Sequence, residues 1–204
     1  MDRDHVLHEL IPYRLSAVAA LTIALRHRQS WDRPRSLEIY FDKVLAIEGN
    51  SNAFTNPVIE SGLIHCRALL EFLGLTAKNG RLQSISSPRR PDDIGIEDFT
   101  GARGRLNILT PSVALSAYSG DQEEAESALL SVFHSTNKGL AHFTCGFDAS
   151  QGDAHLLEVA SRGIPALVIS YLYTPLGLPA PATGIQSRLR GTSRGDRSTA
   201  RTDD

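Results

Sequence analysis

The chain has 204 residues, of which 41% are hydrophobic, 22% are charged and only 6% are aromatic. This apolar content is enough for one domain with a sizeable core and excludes a fully disordered chain, while a mean hydropathy of -0.16 excludes a protein with many membrane spans. The net charge of -2 gives no general attraction to nucleic acid, and two cysteines cannot form a disulfide scaffold or a four-cysteine zinc site. We expect a cytoplasmic protein with no membrane partner.

The uncharged residues 15–25 are too short to span a bilayer. Eleven residues rise only about 16 Å as a helix, whereas the hydrocarbon core needs roughly 30 Å. The residues before them carry three acidic and two basic side chains, and Arg26, His27 and Arg28 follow where a signal peptide would be cleaved. We therefore expect a buried helix at this place.

Apolar residues recur at helical spacing along the first third of the chain. The first stripe has steps of three and four and predicts a regular helix that starts near Pro12. The second helix begins after a cap at Ser36 and runs to about residue 48, and the third begins at Asn56 and Pro57 and ends at Gly74. The residues of the three stripes are Leu7, Ile11, Leu15, Val18, Thr22 and Leu25; Leu37, Tyr40, Phe41, Val44 and Ile47; and Ile59, Leu63, Cys66, Leu70 and Leu73.

The second half of the chain contains two more apolar stripes. One opens at Gly120 and Asp121 and continues to Phe143, and the other covers residues 155–173 with a kink or restart at Gly163 and Pro165. Residues 76–93 are polar and predict a loop, and residues 103–118 are equally compatible with a helix, a hairpin or a loop. The prediction is an all-α single domain, a bundle of about five helices over residues 1–178, followed by a disordered and mildly basic tail over residues 179–204.

Two of these helices carry the polar residues that could perform chemistry. On the third helix, Arg67 and Glu71 are four residues apart and can pair, and Glu60 lies on the same face. His65 lies on a neighbouring face of that helix. On the fourth helix His134, Lys138 and His142 follow one another at four-residue steps, with Asn137 beside them.

A metal site on the fourth helix alone is excluded by distance. His134 and His142 are eight residues apart, which is about 12 Å along a helix, whereas both would have to lie about 2.1 Å from one zinc ion. A small-molecule or metal site that uses His65 and His142 from two helices stays open as a third, less favoured function. We therefore assign no metal ligand and no cofactor.

The residues around His142 fit metal-independent cleavage of RNA. A histidine can act as general base or acid on a ribose hydroxyl, Lys138 can stabilise phosphate charge, and Asn137 can position the phosphate. In this hypothesis those three residues are catalytic, and Arg67, His65 and His134 bind substrate. The alternative from the same residues is helix packing, with Asn137 and His142 as interhelical hydrogen-bonding groups and Lys138 solvated.

The phrases NPVIESGLIHCRALLEFLG, RRPDDIGIEDF and STNKGLAHFT, over about residues 56–146, resemble a group of small bacterial proteins of unknown function. The helical plan and the polar helix that ends in histidine also resemble the HEPN superfamily, which includes metal-independent ribonucleases and toxins of bacterial defence. In that resemblance His142 matches the superfamily's histidine and Asn137 its polar residue. The arginine position is Thr136, with Lys138 as the nearby cation, and lysine lacks the bidentate fork of arginine.

HEPN proteins commonly act as dimers, so the resemblance also implies a homodimer whose motif helices meet in one groove. Two functional hypotheses follow. In the first, the chain is an HEPN-like protein that binds or cleaves RNA without metal. In the second, it is a non-catalytic dimerising interaction module with an interhelical polar network, in which Arg67 pairs with Glu60 and Asn137 or His142 caps a neighbouring carbonyl.

Overall fold

The computed structural model describes residues 2–85, 89–139 and 151–185, apart from the side chains of residues 138–139 and 151–153. Helices account for 59% of the described residues and strands for 15%, so the prediction of an all-α bundle is wrong. In this part of the chain the strands form three separate antiparallel sheets of two strands each. The fold is therefore a mixed one, in which small hairpins connect long core helices.

Three long helices enclose the core. Helix α1 spans Arg3–Ser30, α2 spans Ser51–Phe72, and α5 begins with Gln151–Val168 and continues through Ile169–Tyr173 and Thr174–Leu176. Both α1 and α5 pack against α2, and their apolar stripes are buried as the helical spacing predicts. The stripe residues of α1 with at most 8% exposure are Leu7, Ile11, Leu15, Val18 and Leu25.

Residues 36–48, which the apolar spacing predicts as a helix, form a β-hairpin instead. Strand β1 is Ser36–Phe41 and strand β2 is Val44–Asn50, joined by a two-residue turn in which Asp42 and Lys43 both have positive φ angles of 49° and 69°. Positive φ at both turn positions suits the right-handed twist of the strands. The sequence lacks the glycine that usually marks this turn, and the apolar residues fit a helix as well as two strands.

The helical seam predicted between Ile59 and Leu73 is confirmed, since all five of its residues are buried. The helix begins earlier than predicted, because the Asn50 side chain accepts hydrogen bonds from the N–H groups of Asn52 and Ala53 and caps it. Pro57 consequently lies inside α2 rather than in its first turn. Gly74, with φ of 92°, follows the end of the helix in the left-handed conformation that favours glycine.

The polar region after α2 contains further structure. Strands β3 (Leu75–Lys78) and β4 (Arg81–Ser84) form a hairpin inside the segment predicted as a loop, and β5 (Thr100–Gly101) pairs with β6 (Gly104–Arg105). The ambiguous residues 103–118 contain β6 and a short helix α3 at Pro111–Ser116, whose N-terminus is capped by Thr110. Local propensity does not decide such short elements; their contacts with the core do.

Helix α4 covers Gln122–His134 and continues as a π-helical segment, Ser135–Gly139. It opens after Gly120 and Asp121 as predicted, the Asp121 side chain caps it by accepting from the N–H of Glu123, and α4 packs on α5. Helix α5 continues through Pro165. Helix α1 and the part Ala154–Leu176 of α5 are each long and apolar enough to cross a membrane. Of the apolar 18-residue stretch in each helix, 33% is buried in α1 and 50% in Ala154–Leu176. Core helices of soluble proteins can have the same length and apolar composition. Most of the predicted tail, residues 186–204, lies outside the described residues.

Candidate functional site

The polar edges of α2 and α4 meet at Arg67. Its Nε donates to Glu71 Oε1 at 2.8 Å, and its Nη1 donates to Asn137 Oδ1 at 2.5 Å. The predicted pair of Arg67 with Glu71 and the predicted meeting of the two helices are therefore present. The side chain of Arg67 is 36% exposed and that of Glu71 is 40% exposed, so the ion pair is solvated and its charges are largely neutralised by each other.

The partner proposed for Arg67 in the interaction hypothesis, Glu60, is not its partner. Glu60 is exposed and makes no ion pair within the described residues. It lies seven residues before Arg67, whereas Glu71 lies four residues after it at the spacing that brings side chains together on one helix face.

His65 takes part in a different contact, on the side of α2 that packs against α1. Its Nδ1 lies 3.1 Å from Nη1 of Arg14, which donates to it, and its ring lies edge-on to Tyr13 at 5.1 Å between centroids. Partial burial, with the Arg14 charge as the second cause, lowers the pKa of His65. Arginine donation to Nδ1 requires the tautomer with hydrogen on Nε2. His65 is therefore a neutral acceptor in an α1–α2 contact.

The remaining predicted site residues are described only in part. His134 is exposed on α4 and has no hydrogen-bond or ion-pair partner in the described part of the chain. Lys138 follows Asn137 in the π-helical segment, and the predicted catalytic His142 lies outside the described residues. The structure thus joins Arg67 with Asn137 and separates both from the contact made by His65.

The loop that carries the phrase RRPDDIGIEDF performs a structural role that the sequence reasoning missed. Arg89 donates from Nη1 to the carbonyl of Glu71 at 2.8 Å and from Nη2 to that of Phe72 at 3.1 Å. Its Nε and Nη2 also contact the Glu97 carboxylate at 2.7 and 3.2 Å. These contacts satisfy carbonyls at the end of α2 and hold the loop against it. The sequence signal for this role is the pair of adjacent arginines, Arg89 and Arg90, at the start of the phrase.

The hairpin β1–β2 exposes an unusual amount of apolar surface. Five of the ten large hydrophobic residues that the described chain exposes lie on this one hairpin, among them Phe41 at 64% and Val44 at 68% exposure. Residues paired across strands share a face, and alternate residues of a strand do too. One face is therefore wholly apolar, and we call it the hairpin apolar face; its side chains are Leu37, Ile39, Phe41, Val44 and Ile47.

Within residues 2–85, 89–139 and 151–185, no group of three His, Cys, Asp or Glu side chains could hold a metal ion. A groove of about 390 Å³ lies between the start of α1 and the residues after α5, where His8 and Tyr173 stand among apolar neighbours. Cys66 is buried in the α2 seam, and burial raises the pKa of its thiol.

Comparison with known proteins adds no family: no protein-family model, no curated protein and no solved structure matches the chain.

Proposed function

We propose that this chain is a non-catalytic interaction protein that forms a homodimer. The observation that carries the proposal is the hairpin apolar face, in which Phe41, Val44 and Ile47 are exposed to water while Leu37 and Ile39 are half-buried. Single exposed hydrophobic residues are ordinary on protein surfaces, but contiguous apolar patches mark surfaces that bind another macromolecule. A two-stranded hairpin is also only marginally stable in water by itself, so it gains from a partner.

The contacts of Arg67 support the non-catalytic part of the proposal. Its guanidinium already binds the Glu71 carboxylate and the Asn137 amide oxygen, so a phosphate would have to compete with an anion held 2.8 Å away. This arrangement is an interhelical polar network, but its members differ from those of the interaction hypothesis: Arg67 pairs with Glu71 instead of Glu60, and Asn137 accepts from Arg67 instead of capping a carbonyl. Its geometric effect is to fix α2 against the end of α4.

The test is the mass of the protein in solution at increasing concentration. We expect light scattering or sedimentation to give twice the 22.2 kDa of one chain. Replacing Phe41 and Val44 together by serine should weaken the dimer more than about tenfold, because they are the two most exposed side chains of the hairpin apolar face.

Ile64→Ser is the matched control. Ile64 is 53% exposed on α2, outside the hairpin, so this variant should keep the wild-type dimer. A protein that stays at the mass of one chain at every concentration contradicts the proposal. A dimer that Ile64→Ser disrupts and the double hairpin variant does not would assign the interface to another surface.

Metal-independent action on RNA is the second candidate, favoured by the contact between Arg67 and Asn137 that brings the two polar helix edges together. Under this hypothesis the purified protein cleaves single-stranded RNA in the presence of a chelator. His142→Ala then abolishes cleavage, since it removes the group that transfers the proton, and leaves the melting temperature unchanged. Wild-type protein that leaves varied RNAs intact eliminates this candidate.

A further inference from the structure

We propose that Arg14, His65 and Tyr13 form a binding site for a small organic carboxylate that carries an aromatic or other apolar group. The site lies between α1 and α2 and uses none of the residues of the hairpin apolar face, so it does not depend on the proposed dimer. The features that carry the inference are an unbalanced charge, the free donors of that charge and an exposed aromatic ring beside it.

Arg14 is a half-buried cation whose charge no described carboxylate balances. Three arginines in the described part of the chain are half-buried, and two of them, Arg67 and Arg89, each pair with a glutamate at 2.8 and 2.7 Å. Arg14 makes no ion pair within the described residues, and its hydrogen-bond partner there is the imidazole of His65. Burial removes water from a charge, so a charged group in such a place normally has a counter-ion. We therefore expect Arg14 to bind an anion.

The contact with His65 leaves most donors of Arg14 free and adds no charge. It lies at 3.1 Å and uses Nη1 of the guanidinium. The edge formed by Nε and Nη2 makes no hydrogen bond with described residues, and its shape matches the two oxygens of a carboxylate. Burial lowers the pKa of His65, so the imidazole is uncharged at pH 7. The site thus has a single positive charge, which one carboxylate balances.

Tyr13 adds an apolar surface beside this charge. Its ring meets the imidazole of His65 edge-on at 5.1 Å between centroids, and Arg14 contacts the same imidazole at Nδ1. The guanidinium and the tyrosine ring therefore flank one histidine. Tyr13 is 63% exposed, so its ring is accessible to a ligand that the charge orients. The ligand that uses both groups is a carboxylate with an aromatic or aliphatic body.

Acidic residues on either side of the site favour a small anion over a nucleic acid strand. Glu9 lies five residues before Arg14 on α1, and Glu60 lies five residues before His65 on α2. The two helices run in opposite directions, so these glutamates lie toward opposite ends of the site. A strand of phosphates would meet both negative charges, whereas a small carboxylate lies between them.

The test is a titration of the full chain with benzoate, whose ring and single charge match the site. Binding is read from the NMR signal of the His65 imidazole, which is identified by its absence in His65→Gln. We expect a dissociation constant of about 1 mM for benzoate and about tenfold weaker binding of acetate, which lacks the ring. Uncharged benzamide should leave the signal in place, because it has no charge for Arg14 to bind.

Arg14→Gln should weaken benzoate binding by about tenfold or more, since glutamine lacks both the charge and the fork of the guanidinium. Arg28→Gln is the matched control on the same helix. Arg28 is exposed and makes no ion pair among described residues, so this variant should bind benzoate as wild type does. Tyr13→Ala should lose the preference for benzoate over acetate and keep the binding of acetate. Because Tyr13 is largely exposed, this variant tests the site even if Arg14→Gln fails to fold.

Three results would overturn the inference. The first is equal benzoate binding by wild type and Arg14→Gln, or no shift of the His65 signal at about 20 mM benzoate. The second is equal binding of acetate and benzoate by wild type, which removes the apolar part of the ligand. The third is displacement of benzoate by single-stranded RNA, which would assign the site to nucleic acid. A protein that is monomeric at every concentration contradicts the proposed function alone.

Discussion

At the end of α2, Arg89 donates to the backbone carbonyls of Glu71 and Phe72, and the Glu71 carbonyl also accepts from the N–H of Gly74 at 3.0 Å. The arginine side chain is 13% exposed and its partner Glu97 is 27% exposed, so water screens these contacts less than it screens Arg67 with Glu71. The charged hydrogen bonds of Arg89 therefore contribute to the free energy of unfolding. The pair of Arg67 and Glu71 contributes less to it and mainly fixes the position of α2 relative to α4.

We predict that Arg89→Ala lowers the free energy of unfolding by about 2 kcal/mol, because two carbonyls and the Glu97 carboxylate lose a charged donor. Arg90→Ala is the control, since Arg90 is exposed and its side chain makes no hydrogen bond or ion pair with described residues. Urea denaturation measures both values. Equal losses in the two variants would contradict the role given to Arg89.

The pH dependence of stability should contain a contribution from His65. Its folded-state pKa lies below the ordinary value near 6.5, so below that pH the unfolded chain binds the proton more readily than the folded one. Stability is then lost as the pH falls through this range. His65→Gln should lose less stability than wild type between pH 7 and pH 5 in urea titrations, while His134→Gln controls for the removal of one imidazole. Parallel curves for wild type and His65→Gln would refute the assignment.

The sequence predicts local features of the site better than distant ones. The pair of Arg67 and Glu71 follows from a spacing of four residues. The contact of Arg67 with Asn137 follows from the expectation that two amphipathic helices turn their polar edges together. The contacts of His65 with Arg14 and of Arg89 with α2 depend on how separate segments pack, and no spacing along the chain encodes them.

Among the elements, α2 and the hairpin show the limits of apolar periodicity. The α2 seam steps by three and four over fifteen residues, which no strand can match. In β1 and β2 the apolar residues fit both periods, and Leu37, Ile39 and Phe41 alternate as a strand does. The turn consists of Asp42 and Lys43 and contains no glycine. The sequence therefore lacks the usual turn signal that would favour two strands over one helix.

The crossing of α1 and α2 requires a glycine at position 62. A Cβ placed on Gly62 would lie 2.4 Å from Cβ of Leu21, whereas one on Gly163 in α5 would meet nothing within 4 Å. Gly62→Ala should therefore lower the free energy of unfolding by about 1–3 kcal/mol through overpacking. Gly163→Ala should raise it by roughly 0.5–1 kcal/mol, since alanine is the better helix former. Effects of the same sign would contradict this packing.

At the scale of the whole molecule, the two ends of the described chain lie together. The Tyr173 hydroxyl donates to the backbone carbonyl of Leu7 at 2.8 Å, which joins α5 to the start of α1 across 166 residues. Leu178 then packs against the core, and the residues after it border the groove beside His8. The apolar stripes of α1 and α5 predict that both helices are buried. They do not predict that the start of α1 lies beside the end of α5, which only the structure shows.

The Tyr173 contact predicts a reversal of stabilities at high pH. At pH 7 Tyr173→Phe should be less stable than wild type by about 1 kcal/mol, because one buried hydrogen bond is lost. Burial raises the pKa of Tyr173 to about 12, so above pH 10 the unfolded tyrosine loses its proton while the folded one keeps it, and wild type is destabilised. At pH 11 this amounts to about 1.4 kcal/mol, which offsets the hydrogen bond. Urea titrations of both proteins should therefore show Tyr173→Phe weaker at pH 7 and at least equal at pH 11; a constant difference would mean that the hydroxyl is solvated.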